Sequence, residues 1–561
     1  MKIAIIGAGF AGLSSAKVLT QFGHDVTVFE KAPDVGGVWS ATRRYPGLRT
    51  QNNKDTYFLP DFPMPADYPE WPSGEQVQRY MAAFARHFDL DRYIHLNTEV
   101  LLAEPEGEKG WRIKARNTRS GLESDYQFEQ LVIANGIFSE PFIPPYPGVA
   151  EFEAAGGRLC ATSEFNDLEQ ARGKDVLVVG YGKSSCDVAA AIGEVAGSTK
   201  VIARELLWKM PRKIMNVLNY KYLMLTRMGE SLFPYIESKG FERFLHGPGR
   251  GVRDSMIASL QKVSTRQLKL DKLGLVPEGT FDRIARSTVS LSTDELYEQV
   301  MAGKTEIARE CEITSLGSRD GKPVATLSDG RTVPADLVVC GTGFKQVVPF
   351  LPQSVQDEIT DERGNFELYR QIVPLTVKHL HFCGYNSSFY SPLSAEVAAL
   401  WIATHLMGGL NLPSLEERRE HVQRRLKWME ERTEGKHARG TNIIPFSMHN
   451  VDEMLNEIGL NVGPFTRFTQ WLLPVNARDY RMVTRKLLAR QVLHGNGLVA
   501  VHQNIFLGPA DVRYLGRGGR VRQGFGVIMR LSRQQRGGQK LLQLAGNEIL
   551  LACTVDKLTG G

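Results

Sequence analysis

The stretch MKIAIIGAGFAGL at residues 1–13 decides the fold of this chain. An apolar run at residues 3–6 predicts a buried parallel strand, and Gly7, Gly9 and Gly12 follow it directly. Glycines at this spacing permit a tight turn, let a pyrophosphate approach the backbone, and let a helix pack close to the strand. The helix that follows offers free N–H groups and the positive end of its dipole to phosphates.

A second apolar strand, residues 26–29, ends in Glu30, which lies 18 residues after Gly12. A carboxylate at this position accepts the ribose hydroxyls of an adenosine. Strand, glycine triplet, helix, strand and acid in this order are far more specific than the triplet alone. The order therefore predicts a first dinucleotide site and argues against a glycine-rich turn that binds no ligand.

The composition of the 561 residues, 42% hydrophobic and 23% charged, is typical of a globular protein with room for several domains. The N-terminal apolar run is too short for a membrane span, and no stretch of about 18 apolar residues follows it. The six cysteines are scattered and form no Cys-x-x-Cys pair, so we expect neither a metal site nor a disulfide framework. We expect a cytoplasmic location.

The net charge of +6 belongs to one end of the chain. Residues 510–561 carry nine Lys/Arg and three Asp/Glu, whereas residues 1–509 carry 59 of each sign. A nucleic-acid binder would spread its basic charge over a folded face, and we expect no nucleic-acid partner.

Residues 45–57 form a polar loop punctuated by Pro and Gly and dense in amides, with Gln51, Asn52 and Asn53 adjacent. Such a loop emerging from a nucleotide domain can form a roof over a cofactor, and a solvated surface loop is the alternative. Residues 131–136 are an apolar strand ending in Asn135 and a glycine. We expect it to return to the first sheet with its carboxyl end facing the nucleotide.

The opening pattern repeats at residues 175–204 with Gly180, Gly182 and Ser184 in the turn. The second strand of this repeat ends in Arg204 instead of an acid. Arginine attracts a 2′-phosphate that a carboxylate would repel, so this site should prefer NADPH to NADH. A solvated arginine at a strand end is the alternative. Ser185 replaces the third glycine, which costs helix–strand closeness without blocking phosphate contact.

The rest of the chain is less specific. Residues 210–300 are rich in apolar and aromatic side chains and are interpreted as a packed helical insertion, with a substrate funnel, a dimer surface or membrane contact as alternatives. Residues 335–340 are an apolar strand followed by glycines, interpreted as returning the chain to the first domain. Residues 391–406 are interpreted as a buried helix.

These residues together resemble the flavin-containing monooxygenases, class B flavoprotein monooxygenases related to the Baeyer–Villiger monooxygenases. The resemblance covers about residues 1–410 and rests on seven features: GAGFAG (7–12), Glu30, GGVW (36–39), DFPMP (61–65), GYGKSSCD (180–187), Arg204 and CGTGF (340–344). It implies an α/β fold of two Rossmann-like, dinucleotide-binding domains, the second inserted into the first, followed by a C-terminal extension.

The resemblance also implies a division of the chain. Residues 1–150 and 330–412 would form an FAD-binding domain, and residues 151–329 an NADPH-binding domain with the helical insertion at 210–300. Residues 413–494 would form a helical extension, and residues 495–561 a basic, glycine-rich tail of unknown fold.

The implied site has two groups of residues and no metal. Gln51 and Asn52 are the catalytic candidates. Cofactor contacts are expected at Gly7, Gly9, Ala11, Gly12, Glu30, Gly37, Val38, Trp39, Thr50, Asn135, Gly180, Gly182, Ser184, Arg204 and Gly343. The chain departs from the family at Ala161, where a histidine is usual, and at Gln51, where an asparagine is usual.

The resemblance implies an enzyme of the N,N-dimethylaniline monooxygenase type that uses FAD, NADPH and O2 and forms a C4a-hydroperoxyflavin. The neutral amides of residues 51–53 favour oxygenation of a nitrogen or sulfur centre in a small lipophilic organic substrate. Baeyer–Villiger oxidation of a ketone and an uncoupled NADPH oxidase or flavin reductase are the alternatives, beside a redox-sensing or scaffold role through the basic tail. Peripheral membrane contact and a homodimer are also expected possibilities.

Overall fold

Two five-stranded parallel sheets organise the chain, and the computed structural model describes residues 1–286, 290–435 and 439–494. Backbone is also described for four short strands beyond residue 527. The chain divides into two compact units, Met1–Arg481 and Met482–Gly561. Both sheets belong to the first unit, which also holds every residue of the candidate site.

The first sheet contains the strand that the opening residues predict. The order of its strands is Leu380–Phe382, Gln130–Ile133, Lys2–Ile6, Asp25–Phe29 and Ile94–His95. The central strand places Ile5 between Val28 and Val132, and all three side chains are fully buried. The prediction that the strand near residue 131 joins this sheet is confirmed.

The second sheet is built on the repeat of the opening pattern, and its order is Thr305–Arg309, Ser198–Ala203, Asp175–Val179, Leu337–Cys340 and Arg158–Ala161. The expectation that residues 335–340 return the chain to the first domain is wrong for this strand, because Leu337–Cys340 lies between two strands of the second sheet. An apolar strand ending in glycines fits inside either parallel sheet, and its own residues do not specify its neighbours. A domain boundary at residue 330 would therefore separate Leu337–Cys340 from the other strands of its own sheet.

The two connections between the sheets pair with each other. Glu140–Pro141 lies antiparallel to Phe344–Lys345. The N–H of Phe142 donates to the carbonyl of Gly343 at 3.0 Å, which extends this ribbon by one further bond. The chain thus crosses between its sheets along one two-stranded ribbon.

The remaining elements surround the two sheets. Two antiparallel sheets consist of Thr98–Pro105, Trp111–Asn117 and Glu123–Phe128, and of Ile313–Arg319, Lys322–Leu327 and Thr332–Pro334. Three two-stranded pairs are Lys209–Met210 with Ser290–Leu291, Lys213–Ile214 with Leu218–Asn219, and Leu368–Tyr369 with Val373–Pro374. The α-helices up to residue 412 are Phe10–Gln21, Gly74–His87, Val149–Ala154, Lys183–Ile192, Lys221–Met224, Arg227–Ser231, Gly240–Leu245, Arg250–Gln267, Leu270–Leu273, Asp294–Met301, Gln353–Ile359 and Ser391–Leu406.

The helical interpretation of residues 210–300 is confirmed by the helices between Lys221–Met224 and Asp294–Met301. Residues 413–494 are also helical, with Leu415–Thr433, Ser447–Glu457, Pro464–Leu472 and Arg481–His494. The predicted tail 495–561 lies outside the described residues, apart from two antiparallel pairs, Ile528–Met529 with Leu544–Ala545 and Lys540–Leu542 with Leu551–Cys553. Within the described ranges, no helix has the length and apolar character required to cross a bilayer.

A buried ion cluster ties the first helix to two distant segments. The ammonium of Lys17, fully buried in Phe10–Gln21, lies 2.6 Å from Oε1 of Glu396 and 2.7 Å from Oδ2 of Asp61. Burial alone would lower the pKa of Lys17, but the two carboxylates raise it above its ordinary value. The cluster fixes the helix that follows the first glycine turn against Ser391–Leu406 and the DFPMP segment.

Replacing Lys17 by methionine tests this cluster. Lys17→Met should lower the free energy of unfolding by about 3–5 kcal/mol, because the carboxylate of Glu396 would stay buried without its cation. Denaturant unfolding of the purified variant measures the loss. Lys109→Met, at an exposed lysine, is the control and should change stability by less than about 0.5 kcal/mol. Equal stability of both variants would contradict the proposed role.

Candidate active site

A cleft of about 1830 Å3 opens at the carboxyl ends of strands from both sheets. Ile6 and Ala134 line it from the first sheet, and Val179 and Ile202 line it from the second. Open parallel sheets bind their ligands at this edge. Most predicted site residues line the cleft: Gly7, Gly9, Ala11, Glu30, Gly37, Val38, Trp39, Gln51, Asn52, Asn135, Gly180, Gly182, Ser184, Arg204 and Gly343.

Gly12 and Thr50 do not line the cleft. Gly12 serves the fold, because a Cβ there would lie 1.8 Å from the carbonyl oxygen of Gly7. Gly7 itself has a φ of +107°, and a Cβ there would lie 2.5 Å from the carbonyl oxygen of Ala134. Thr50 is buried with no hydrogen-bond partner for its hydroxyl among the described residues. Its contact with a cofactor stays a prediction.

Gly9 differs from these two glycines. A Cβ at Gly9 would lie 3.7 Å from its nearest neighbour, the Cα of Gly37, which is an ordinary contact. Gly9 is the N-cap residue of Phe10–Gln21 and has no side chain to cover the N–H groups of the first turn. The space beside Gly9 is therefore not needed by the protein itself, and it fits a pyrophosphate at a helix N-terminus.

Glu30 is positioned by the backbone around the first turn. Its carboxylate accepts the N–H of Ala8 at 2.7 Å and the N–H of Ala32 at 2.8 Å. Burial raises the pKa of Glu30 above its ordinary value, although both N–H groups oppose this shift. The carboxylate lines the cleft in a fixed orientation, as acceptance of ribose hydroxyls requires.

The second turn has a serine, Ser185, at the helix position where the first turn has Gly12. Gly180 has a φ of +104°. The hydroxyl of Ser185 donates to the carbonyl of Val179 at 3.2 Å and lies 3.3 Å from the carbonyl of Gly341. A Cβ at Gly341 would lie 2.0 Å from that hydroxyl oxygen. The close approach that Ser185 would otherwise prevent is thus permitted by the glycine opposite it.

Arg204 stands at the end of Ser198–Ala203 with 78% of its side chain exposed. Its Nε lies 3.5 Å from Oε1 of Glu312, whose side chain is 54% exposed. Exposed ion pairs of this kind contribute at most about 1 kcal/mol. The guanidinium can therefore leave Glu312 for a phosphate at little cost.

A polar cluster that the sequence analysis missed lies behind the second turn. Asp187 is buried, accepts a hydrogen bond from the hydroxyl of Thr293 at 2.6 Å and forms an ion pair with Lys183. The hydroxyl of Tyr45, from the amide-rich loop, lies 3.4 Å from Asp187. Lys183 and Asp187 were visible within the GYGKSSCD motif, but Thr293 has no local signal.

The amide candidates have different environments. Asn52 is 4% exposed, and its Nδ2 donates to the carbonyl of Phe389 at 2.7 Å. Gln51 accepts through Oε1 from the N–H of Leu291 at 3.1 Å, and its main-chain carbonyl accepts from the hydroxyl of Tyr220 at 2.7 Å. Both amides line the cleft, and each is hydrogen-bonded to residues far along the chain.

Two further positions complete the predicted site. Asn135 accepts from the hydroxyl of Tyr385 at 2.6 Å and donates to the carbonyl of Val347 at 3.0 Å, so the protein itself orients this amide. Ala161 is buried at the end of Arg158–Ala161, and its N–H donates to Glu164 at 2.8 Å. The side chain at this position is therefore a buried methyl group.

The geometry defines a class of protein, because two glycine turns and their strand-end Glu30 and Arg204 face one cleft. This is the arrangement of an oxidoreductase that binds two dinucleotides. Residues 1–466 match the family model described as flavin-binding monooxygenase-like, and the chain belongs to this family. It is a flavin-dependent monooxygenase whose cofactors are FAD and NADPH.

Known proteins agree with this assignment. The chain is 25% identical to the probable flavin-containing monooxygenase 1 of Arabidopsis thaliana, over 86% of this chain and 96% of the relative. It is 29% identical to the decarboxylating 4-hydroxybenzoate brominase of Marinomonas mediterranea, over 75% and 77%. The structure of cyclohexanone monooxygenase from Rhodococcus sp. Phi1 with bound NADP+ has a TM-score of 0.59 at 19% identity, over 87% and 97%. That last likeness shows the fold.

The contrast between Gly9 and Gly12 yields a prediction for flavin retention. Gly9→Val should fold and lose at least about 90% of its bound FAD, because the valine fills space that only the pyrophosphate needs. Visible absorbance and far-UV circular dichroism of the purified proteins measure the two effects. Gly12→Ala is the matched control and should instead lose folded protein. A yellow Gly9→Val protein with a full complement of flavin would contradict this role.

Arg204 yields a prediction for nucleotide preference. Arg204→Ala should raise the KM for NADPH about 10- to 150-fold, because a charge-assisted contact of ~1.5–3 kcal/mol is lost, and leave NADH nearly unchanged. Steady-state oxidation of both nucleotides measures the difference. Arg331→Ala, at an exposed arginine paired with Asp329, is the control. An equal loss for NADPH and NADH would show that Arg204 serves the fold.

Proposed function

We propose that this monooxygenase oxygenates a nitrogen or sulfur centre of a small lipophilic substrate, using FAD, NADPH and O2. The proposal rests on the neutral amides of Gln51 and Asn52, which line the same cleft as both glycine turns. The next carboxylate along the loop belongs to Asp55, which lies 3.4 Å from the ammonium of Lys221 and is 61% exposed. At positions 51 and 52 the loop therefore presents uncharged hydrogen-bonding groups to the cleft.

The residues on the cleft fit the two cofactors. Gly7, Gly9 and Glu30 would hold FAD, with residues 37–39 beside them, while Gly180, Gly182, Ser184 and Arg204 would hold NADPH. A Cβ at Gly182 would meet no atom within 4 Å, which leaves its backbone open to a phosphate. When bound, the nicotinamide supplies electrons and the flavin supplies the chemistry with O2.

Asn52 would set the electrostatics of the reacting centre. Its amide is held by the carbonyl of Phe389 and is almost fully shielded from solvent. A negatively charged oxygen in a dry site requires a charged or well-aimed donor. A fixed neutral amide instead suits a neutral oxygen donor, and such a donor reacts with amines and thioethers.

Oxidation of a ketone is the second candidate. It is favoured by Arg49, which lines the same cleft and would supply the charged donor that this reaction needs. An uncoupled NADPH oxidase is the third, because Ala161 removes a polar side chain that the family usually has.

We also infer that the second sheet is an NADPH-binding domain inserted into an FAD-binding domain. All of its strands lie between residues 158 and 340, and the strands of the first sheet lie on both sides of this interval. The amide-rich loop would then meet the inserted domain at the cleft.

Peripheral membrane contact and a homodimer stay predictions. The surface that either partner would use includes the helix Pro464–Leu472. Phe465 is 78% exposed, Phe468 is 63% exposed and Leu472 is 57% exposed. These positions recur every three or four residues and share one face of the helix.

The reaction class is tested by offering a tertiary amine, a thioether and a cyclic ketone side by side under O2. We expect N-oxide or sulfoxide in near-stoichiometric yield with NADPH. Asn52→Leu should turn more than about half of the NADPH into H2O2 while flavin reduction stays near normal, because the amide acts after electron transfer. Efficient lactone formation would instead support oxidation of a ketone. Formation of H2O2 alone by the unmodified enzyme would support an uncoupled NADPH oxidase.

A further inference from the structure

Gln51 connects two distant parts of the chain. Its main-chain carbonyl accepts from Tyr220 and its side-chain oxygen accepts from the N–H of Leu291, and both donors belong to the helical insertion. Tyr220 and Leu291 are 1% and 2% exposed, so both donors are buried, while the bonds themselves are partly buried at the edge of the cleft. A buried N–H that loses its acceptor carries a desolvation penalty. The N–H of Leu291 therefore requires an acceptor, and the side chain of Gln51 is long enough to supply one.

Two neighbouring contacts reinforce this connection. The side chain of Asn219 donates to Glu70, which also accepts from the side chain of Asn53 at 2.9 Å. The ammonium of Lys221 pairs with Asp55. Asn219, through Glu70, and Lys221 thus support the part of the loop that follows Gln51.

The donor Leu291 is in turn part of the second dinucleotide unit. Its strand Ser290–Leu291 pairs with Lys209–Met210, and the N–H of Ser292 donates to the carbonyl of Met210 at 2.8 Å. The next residue, Thr293, donates to Asp187 on the helix that begins directly after Gly182. The path from Gly182 to Gln51 thus consists of the first turn of this helix, the buried Thr293–Asp187 hydrogen bond, residues 291–293 and the partly buried Leu291–Gln51 hydrogen bond.

We propose that Gln51 is a positioning residue that couples the second dinucleotide turn to the amide-rich loop. NADP+ bound at the turn stabilises Lys183, Asp187 and Thr293 in their observed arrangement, and Leu291 then holds Gln51 and the adjacent Asn52 in the cleft. Coupling between two sites is reciprocal, so loss of the Gln51 contact also weakens NADP+ binding. This role does not depend on which substrate is oxygenated.

The proposal explains why glutamine stands at this position. An asparagine is one methylene shorter, and its amide oxygen would fall short of the Leu291 N–H. A glutamate keeps an acceptor at the same reach but loses the NH2 group. That NH2 group makes no hydrogen bond among the described residues, and it faces the cleft, where water or a ligand can accept from it.

The test is hydrogen–deuterium exchange of residues 45–57 in the FAD-loaded full chain, with and without NADP+. In the unmodified enzyme NADP+ should slow exchange in this loop. Gln51→Leu and Gln51→Asn should reduce this protection about two- to tenfold, the equivalent of one hydrogen bond, and weaken NADP+ binding by a similar factor. Gln51→Glu should keep the protection, because its carboxylate accepts from Leu291.

Tyr220→Phe removes the second donor without touching the cleft, and it should give a partial loss of protection. Tyr222→Phe, at an exposed tyrosine of the same segment, is the matched control and should change nothing. If Gln51→Glu behaves like Gln51→Leu, Gln51 acts through its NH2 group on the cofactor and the proposal is wrong. It is also wrong if NADP+ gives no protection in the unmodified enzyme, or if no variant differs from it.

Discussion

The structure depends on the close approach of backbone to backbone at the first glycine turn. Gly7 lies against the carbonyl of Ala134, and Gly12 lies against the carbonyl of Gly7. These approaches leave no space for a side chain, so the strands Lys2–Ile6 and Gln130–Ile133 and the helix Phe10–Gln21 are locked together. Lys17 then joins this helix to Ser391–Leu406 through Glu396. The geometry of the edge at which a nucleotide binds is therefore set by contacts within the protein itself.

At the second turn, the space for close packing of helix and strand comes from a glycine beside the strand and not from a glycine in the helix. Ser185 occupies the helix position that a glycine usually fills. The residue opposite it, Gly341 at the end of the neighbouring strand, has no side chain and leaves space for the serine. The hydroxyl of Ser185 also donates to the strand-end carbonyl of Val179, which a glycine could not do.

Local patterns in the sequence were sufficient to predict the elements that carry the cleft. The signals are local: each turn has its hydrophobic periodicity, its glycine spacing and its strand-end residue, Glu30 or Arg204, within a stretch of about 30 residues. Contacts between segments that are distant in the sequence could not be predicted from such local patterns. Leu337–Cys340 has the sequence of any buried parallel strand, and only its pairing places it in the second sheet. The acceptor role of Gln51 was equally hidden, because Leu291 lies 240 residues away and donates through its backbone.

The paired crossings between the sheets have a mechanical consequence. Because Glu140–Pro141 and Phe344–Lys345 are hydrogen-bonded side by side, neither can lengthen or slide without breaking bonds to the other. The two crossings therefore behave as one connection and not as two independent linkers. Any change in the separation of the two sheets has to be accommodated by both crossings together.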